Sequence, residues 1–274
     1  MIAYNKINCD YNMKEKFTPP NEQNESEKLK GKWNHALYQV AEKIFEHMSQ
    51  KLPEGTSSDQ IPQLLEQATE ERILTKKNRA DFIVISASPG TGKSTVGDIL
   101  KQKGLERFPR VTTREPRPRE KDGEDYHFIS RKEFEQRKNE GKFLYHKETY
   151  GEGRAIAKDE FDDKIASGKK FYAEGDALAY SEIKKKSGYE EIEYQSVYLL
   201  PPSFDVLLER IAKRIEEDKA SSEGKWDEAA LTERLNKAIY YLEKSSGHII
   251  NGIYDGFLVN DDIKRVEEKV TSFI

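Results

Sequence analysis

Cysteine is nearly absent from this sequence: Cys9 stands alone in 274 residues. A single thiol cannot close an intramolecular disulfide, so a cross-linked scaffold is excluded and a reducing compartment is expected. Long apolar runs are missing too, and none approaches the roughly 18 residues that a membrane span needs. The first residues, MIAYNKINCDYNMKEKF, contain no apolar stretch of signal-peptide type. A cytoplasmic protein with no membrane partner is the expectation. Neither charge dominates, since 46 basic and 50 acidic side chains leave a net charge of −4. There is thus no global basic field of the kind that bulk nucleic-acid binding requires. Internal repeats and low-complexity blocks are also lacking. The length suffices for one large domain, or for one domain and a smaller extension, with a substantial core.

What is present is concentrated in FIVISASPGTGKST, residues 82–95. Phe82 to Ser86 is a short apolar run rich in β-branched residues and reads as a buried strand. Ala87-Ser-Pro-Gly-Thr-Gly92-Lys93-Ser94 follows, and a helix-forming run continues from Thr95 to Lys101. Strand, glycine-rich turn and helix in that order form the context of a P-loop. Gly90 and Gly92 let the backbone curl so that successive N–H groups face phosphate oxygens. The helix start near Lys93 adds unpaired donors and the positive end of its dipole. Ser88, Pro89, Gly90, Thr91, Gly92, Lys93, Ser94 and Thr95 are therefore the candidate residues for binding a nucleoside triphosphate. Lys93 would reach the β- and γ-phosphates as a catalytic cation, and the Ser94 hydroxyl would ligate Mg²⁺. Ala87 stands where the motif usually begins with glycine. The alternative, an ordinary corner with incidental glycines, sits poorly with Gly-Lys-Ser in this context.

Taken in order, residues 1 to about 27 are polar and broken by Pro19-Pro20, and a flexible or extended tail is expected. Trp33, Leu37, Val40, Ile44 and Met48 then fall on one helical face, with Pro53-Glu-Gly55 as the stop. A second helix is predicted from near Asp59, with Ile61, Leu64, Leu65 and Ala68 on its buried face. This extension, residues 1–80, carries no catalytic constellation; packing on the core and binding a protein partner both remain open. From Asp81 strands and helices alternate, which implies a parallel sheet covered on both faces. Tyr126 to Ile129, Phe143 to Tyr145, Lys170 to Ala173, Val197 to Leu200 and Gly256 to Val259 read as strands. Ser130-x-x-Glu133 reads as a capping box, and Ser203 as the cap of a helix after Pro201-Pro202. Two charged helices are expected around a hydrophilic break at Ala220 to Gly224.

The run VTTREPRPREKDGEDYHFISRKEF, residues 111–134, resembles the acceptor-binding region of guanylate kinases. The P-loop before it, the PPS at 201–203 and the VNDD at 259–262 occur in the matching order. The resemblance spans about residues 81–274 and implies an α/β P-loop nucleoside-monophosphate-kinase fold. That fold would have a five-stranded parallel core, an inserted acceptor domain near 113–158 and a helical lid near 210–234. It implies ATP with Mg²⁺ as donor and a nucleoside monophosphate as acceptor. Arg114 and Arg117 would clamp the acceptor phosphate as planar, bidentate donors on a proline-stiffened backbone, and Tyr126 would add a hydroxyl. Ion pairs of these arginines with Glu115 and Glu120 are the competing reading. Arg210, Arg214 and Arg234 match lid arginines that close over the phosphates. Glu174 matches the acidic position that serves the metal, and Asp176 one that serves the acceptor, although Asp176 could equally cap a helix. Asn260 and Asp261 are expected at the adenine pocket, with Asp261 alternatively capping the last helix.

The acceptor half departs from the family pattern. Tyr145 stands where guanylate kinases have a glutamate that reads guanine, and a phenol cannot accept two N–H bonds as a carboxylate does. The Tyr-Gly-Ser element is altered to Tyr150-Gly151-Glu152, and Arg110 and Arg119 replace smaller residues. Three readings follow: a GMP kinase, a kinase of another phosphorylated acceptor such as a ribose bisphosphate, and a non-catalytic interaction domain. The intact Lys93-Ser94 speaks against the last.

Overall fold

The computed structural model describes residues 22–76, 79–117, 120–149, 151–220 and 228–274. Cys9, Lys77, Arg119, Tyr150 and most of the break at 220–224 lie outside them. Five short strands form a parallel sheet in the order β2 (Glu106–Phe108), β7 (Phe171–Glu174), β1 (Phe82–Ala87), β8 (Tyr194–Leu200), β9 (Gly256–Val259). β1, β7, β8 and β9 are buried on both faces, as their continuous apolar runs require, whereas Glu106 of the edge strand β2 is exposed. Phe82 and Val84 point to one side and Ile83 and Ile85 to the other, which separates two layers of helices. On one side lie α3 (Lys93–Gln102) and α9 (Ile263–Phe273). On the other lie α5 (Lys158–Ala166), α6 (Ala177–Lys184), α7 (Phe204–Ala220) and α8 (Glu228–Ile250).

Between β2 and β7 in sequence the chain builds a second, four-stranded sheet. Its order is β4 (Tyr126–Phe128), β3 (Arg110–Thr112), β6 (Glu152–Ala157), β5 (Phe143–Thr149). Its own small core joins Val111 and Ala155 to Phe134 of α4 (Arg131–Asn139). Gly153 is required there because a Cβ would lie 2.9 Å from the Phe134 ring. Ser130 accepts from the Glu133 N–H at 3.1 Å, as the capping box predicts.

The extension folds against the core. Helix α1 spans Glu22–His47 and starts earlier than the sequence suggests, because its apolar stripe reaches back from Trp33 to Leu29. It ends at His47 rather than at Pro53, with Ser49 in the left-handed region at φ 57°. Trp33 is 1% exposed and packs beside Phe204 at the start of α7, and Lys30 pairs with Asp205 there at 3.1 Å. Helix α2, Ile61–Thr75, buries Leu65, Thr69 and Ile73 rather than Leu64 and Ala68. The rotation follows from its neighbour: α2 lies along the sheet edge at β9, where Thr69 Oγ1 accepts the Phe257 N–H at 3.0 Å. A Cβ on Gly256 would sit 2.6 Å from that hydroxyl. Thus a polar residue satisfies a buried edge donor and the helix covers the edge. Among the described residues no helix is long and apolar enough to cross a membrane.

Candidate active site

The carboxyl ends of β1, β7, β8 and β9 converge on one rim, where open α/β sheets bind ligands. The loop after β1 turns through Gly90 and Gly92, at φ 83° and 85°. Only glycine fits: a Cβ on Gly92 would lie 2.0 Å from Asn260 Nδ2, and one on Gly90 2.5 Å from Ile211 of α7. Thr91 Oγ1 donates to the Ser88 carbonyl at 2.8 Å, while Asn260 Nδ2 donates to the Thr91 carbonyl at 2.7 Å. Asn260 thus commits its amide to bracing the loop. Asp261 pairs with Arg265 at 2.8 Å, and the cap of α9 is Asp262, which accepts from the N–H groups of Lys264 and Arg265. The expected cap role of Asp261 therefore belongs to its neighbour, since Asp261 is already held by the arginine.

Arg210 Nη2 donates to the Asn260 carbonyl at 3.0 Å. Its Nη1 is buried without a partner among the described residues, 3.8 Å from the Cβ position of Gly92. A guanidinium donor is therefore held at the loop. Burial draws the Arg210 pKa down, against the pull of Asp261 and Glu209. Arg214 lies one turn further along α7 and is exposed, and Arg234 is half-buried on α8.

Glu174, at the end of β7, joins this loop to the second sheet. Its carboxylate, 6% exposed, lies 3.8 Å from Lys93 Nζ and 3.4 Å from Arg107 Nη2. Gly97 lets α3 come this close, since a Cβ there would be 2.9 Å from Glu174 Oε1. Arg107 also pairs with Asp125 and lies over the Tyr126 ring, as does Arg114, at 5.6 and 5.4 Å. Burial pushes the Tyr126 phenol up, but Lys93, Arg110 and Arg154 outweigh it and bring the pKa down to about 8. Arg110 is 7% exposed and lies against Gly175, where a Cβ would be 2.2 Å from Cζ. Burial disfavours its charge, yet Tyr126, Tyr180 and Asp176 hold its pKa above the usual value. Lys93, Arg107, Arg110, Arg114 and Arg154 thus lie around one phenol, with Glu174, Asp125, Glu120 and Glu152 as acidic partners of four of them.

Arg114 donates from Nη2 to both oxygens of Glu120 at 2.9 and 2.8 Å, and Glu120 also accepts the Arg117 N–H at 2.9 Å. The two arginines are therefore brought together, with Glu120 as their internal counter-charge. Asp176 does cap α6, accepting the Leu178 N–H at 3.1 Å, but it also pairs with Lys147 at 2.9 Å and accepts from the Tyr254 hydroxyl at 3.1 Å. Burial opposes its ionisation, yet Lys147 and the Leu178 N–H hold its pKa below the usual range. Tyr145 is half-buried, its pKa raised by burial and then by Asp176. For a metal, the exposed Ser94 at the first turn of α3 and the buried Glu174 are the nearby oxygen donors. No group of three or more histidine, cysteine or acidic side chains able to hold an ion occurs among the described residues.

The guanylate kinase family model matches residues 79–274. The chain belongs to the guanylate kinase family. A guanylate kinase from Clostridium perfringens is 34% identical over 194 residues, covering 70% of this chain and 83% of that protein. One from Chlorobaculum tepidum is 34% identical over 195 residues, covering 70% and 91%. The guanylate kinase structure from Anaplasma phagocytophilum is 24% identical, with a TM-score of 0.48 over 69% of this chain and 81% of that one.

Within this guanylate kinase fold, sequence reasoning missed Arg107, Lys147 and Arg154. All three lie on strands of the rim or the second sheet that show little apolar alternation. The single usable signal was the density of arginines around the TTR and PR motifs.

Proposed function

We propose that this chain transfers the γ-phosphoryl group of ATP to GMP, giving ADP and GDP, in the cytoplasm. The observation that carries the reading is Glu174, which pairs with Lys93 of the phosphate loop and with Arg107 beside Tyr126. A donor phosphate cradled by the loop and an acceptor phosphate among Arg107, Arg114 and Tyr126 would meet at that carboxylate. The phosphate of GMP is already anionic, so one of its oxygens can attack Pγ without a strong base. The new O–Pγ bond forms as the bond from Pγ to the β–γ bridging oxygen breaks, and ADP leaves. The work is positioning and neutralisation of charge. Lys93 and the partnerless Nη1 of Arg210 supply cationic donors at the loop, and the arginines around Tyr126 hold the acceptor. Arg214 and Arg234 are assigned to closure of the α7–α8 lid over the nucleotide.

Ser94 and Glu174 suit an ion that keeps most of its shell from phosphate oxygens and water, which is the habit of Mg²⁺. Bound with ATP, it would neutralise charge on the β- and γ-phosphates. Release of ADP should require GMP, ATP and Mg²⁺ together. ADP release that ignores GMP would overturn the assignment.

A further inference from the structure

Tyr145 and Lys147 lie two residues apart on β5, so both side chains leave the same face of the second sheet. That face looks onto Asp176 at the head of α6: Lys147 Nζ is 2.9 Å from Asp176 Oδ2, and Asp176 also raises the Tyr145 pKa after burial has done so. The carboxylate is held in a fixed orientation, because Oδ1 accepts from the Leu178 N–H and from the Tyr254 hydroxyl, both at 3.1 Å. Of about four acceptor directions on a carboxylate three are occupied, which leaves one on the Oδ2 side. The ammonium has three N–H donors and gives one to Asp176. The two side chains are 30% and 23% exposed, open to an incoming ring. The pair therefore offers a donor and an acceptor side by side.

We propose that Lys147 and Asp176 together read the acceptor base, Lys147 donating to the guanine O6 and Asp176 accepting from the adjacent N1–H. The assignment rests on the GMP reading above. Guanine presents an acceptor beside a donor on this edge, the complement of the pair. Adenine presents the reverse, with its N6 amino group where guanine has O6. An ammonium facing an amino group leaves donors opposed and unpaired, which a partly dehydrated site penalises. Tyr145, on the same face, offers one hydroxyl where a second carboxylate would otherwise have read the base. Specificity for guanine is thus moved from that position to a charge pair two residues along the same strand. The 2-amino group finds no further acceptor in this arrangement, because the last free direction on Asp176 is taken by N1–H.

The test is kcat/KM for GMP, IMP and AMP in the native protein, in Lys147→Met and in Lys147→Arg. The native protein should prefer GMP over AMP and should use IMP within a few-fold of GMP, since IMP keeps O6 and N1–H. Lys147→Met should lose about 10- to 100-fold of the GMP preference, the scale of one hydrogen bond to a charged group. The loss should appear mainly in the KM of the acceptor, with the KM of ATP and the ATP-induced thermal shift unchanged as evidence of an intact fold. Lys147→Arg, which keeps a cationic donor, should restore most of it. A native preference for GMP that survives in Lys147→Met would overturn this assignment and leave the kinase reading standing. Absence of GMP turnover in the native protein would overturn both.

Discussion

Asn260 Nδ2 donates to the Thr91 carbonyl at 2.7 Å, so the strand at one edge of the sheet holds the loop at its centre. Removing the amide in Asn260→Ala leaves a buried carbonyl unpaired and a void against Gly92. Such a loss costs about 1–3 kcal/mol, which corresponds to roughly 5- to 150-fold in an equilibrium. The KM for ATP should rise within that range while the KM for the acceptor stays nearly constant. Equal rises in both would show that Asn260 supports the whole rim and not the loop.

The Tyr126 phenol provides a pH handle. Burial alone would raise its pKa, but Lys93, Arg110 and Arg154 bring it down to about 8. A protonated phenol donates to a phosphate, whereas a phenolate repels it. In the native protein kcat/KM for the acceptor should therefore fall above about pH 8, and Tyr126→Phe should lack that fall. The folded pKa lies below the unfolded one, so this group's contribution to stability is full above about pH 10 and is lost as the pH drops through about 8. Titration of tyrosinate absorbance, native against Tyr126→Phe, reads the same ionisation directly.

Arg114 and Arg117 share Glu120 as an acceptor. Replacing Arg114 by Ala should raise the acceptor KM and lower kcat with little change in ATP affinity. The size should be about 10- to 100-fold in kcat/KM, as for a lost charge-assisted bond. Steady-state kinetics with each substrate varied in turn separates the two effects.

The extension is part of the hydrophobic core. Trp33, buried beside Phe204, should cost about 3–5 kcal/mol when replaced by Ala, measured by urea unfolding. A chain beginning at residue 79 should aggregate, because the faces of α7, α8 and β9 that α1 and α2 cover would be exposed. A soluble, fully active truncated chain would show that the extension is dispensable.

The loop that cradles phosphate was legible in the sequence because strand, glycines, lysine and helix are contiguous. Burying both faces of the parallel sheet makes its strands continuous apolar runs, and four of the five could be read. The exception, Glu106–Phe108, is three residues long and carries two charges. Of the β5–β6 hairpin only Phe143 to Tyr145 was legible, for a related reason: Lys147 on one strand and Glu152 and Arg154 on the other are polar residues of a shared face. Lys147 could not be identified before Asp176 was placed beside it, since they are 29 positions apart in the chain. Thr69 was passed over on α2 because a polar residue on a helix face reads as solvated. Here its hydroxyl meets the Phe257 N–H of an edge strand.

Transfer of a phosphoryl group from ATP at the Lys93 loop to GMP leaves a direct chemical signature. Mass spectrometry of the nucleotides formed from Mg²⁺, ATP and GMP tests it most directly, with Lys93→Ala alongside. GDP and ADP should form in equal amounts. In Lys93→Ala, whose fold should persist because Glu174 keeps Arg107, the rate should drop about 10²- to 10³-fold, the scale for one preorganised charge. ADP without GDP, or an undiminished rate in Lys93→Ala, would contradict it.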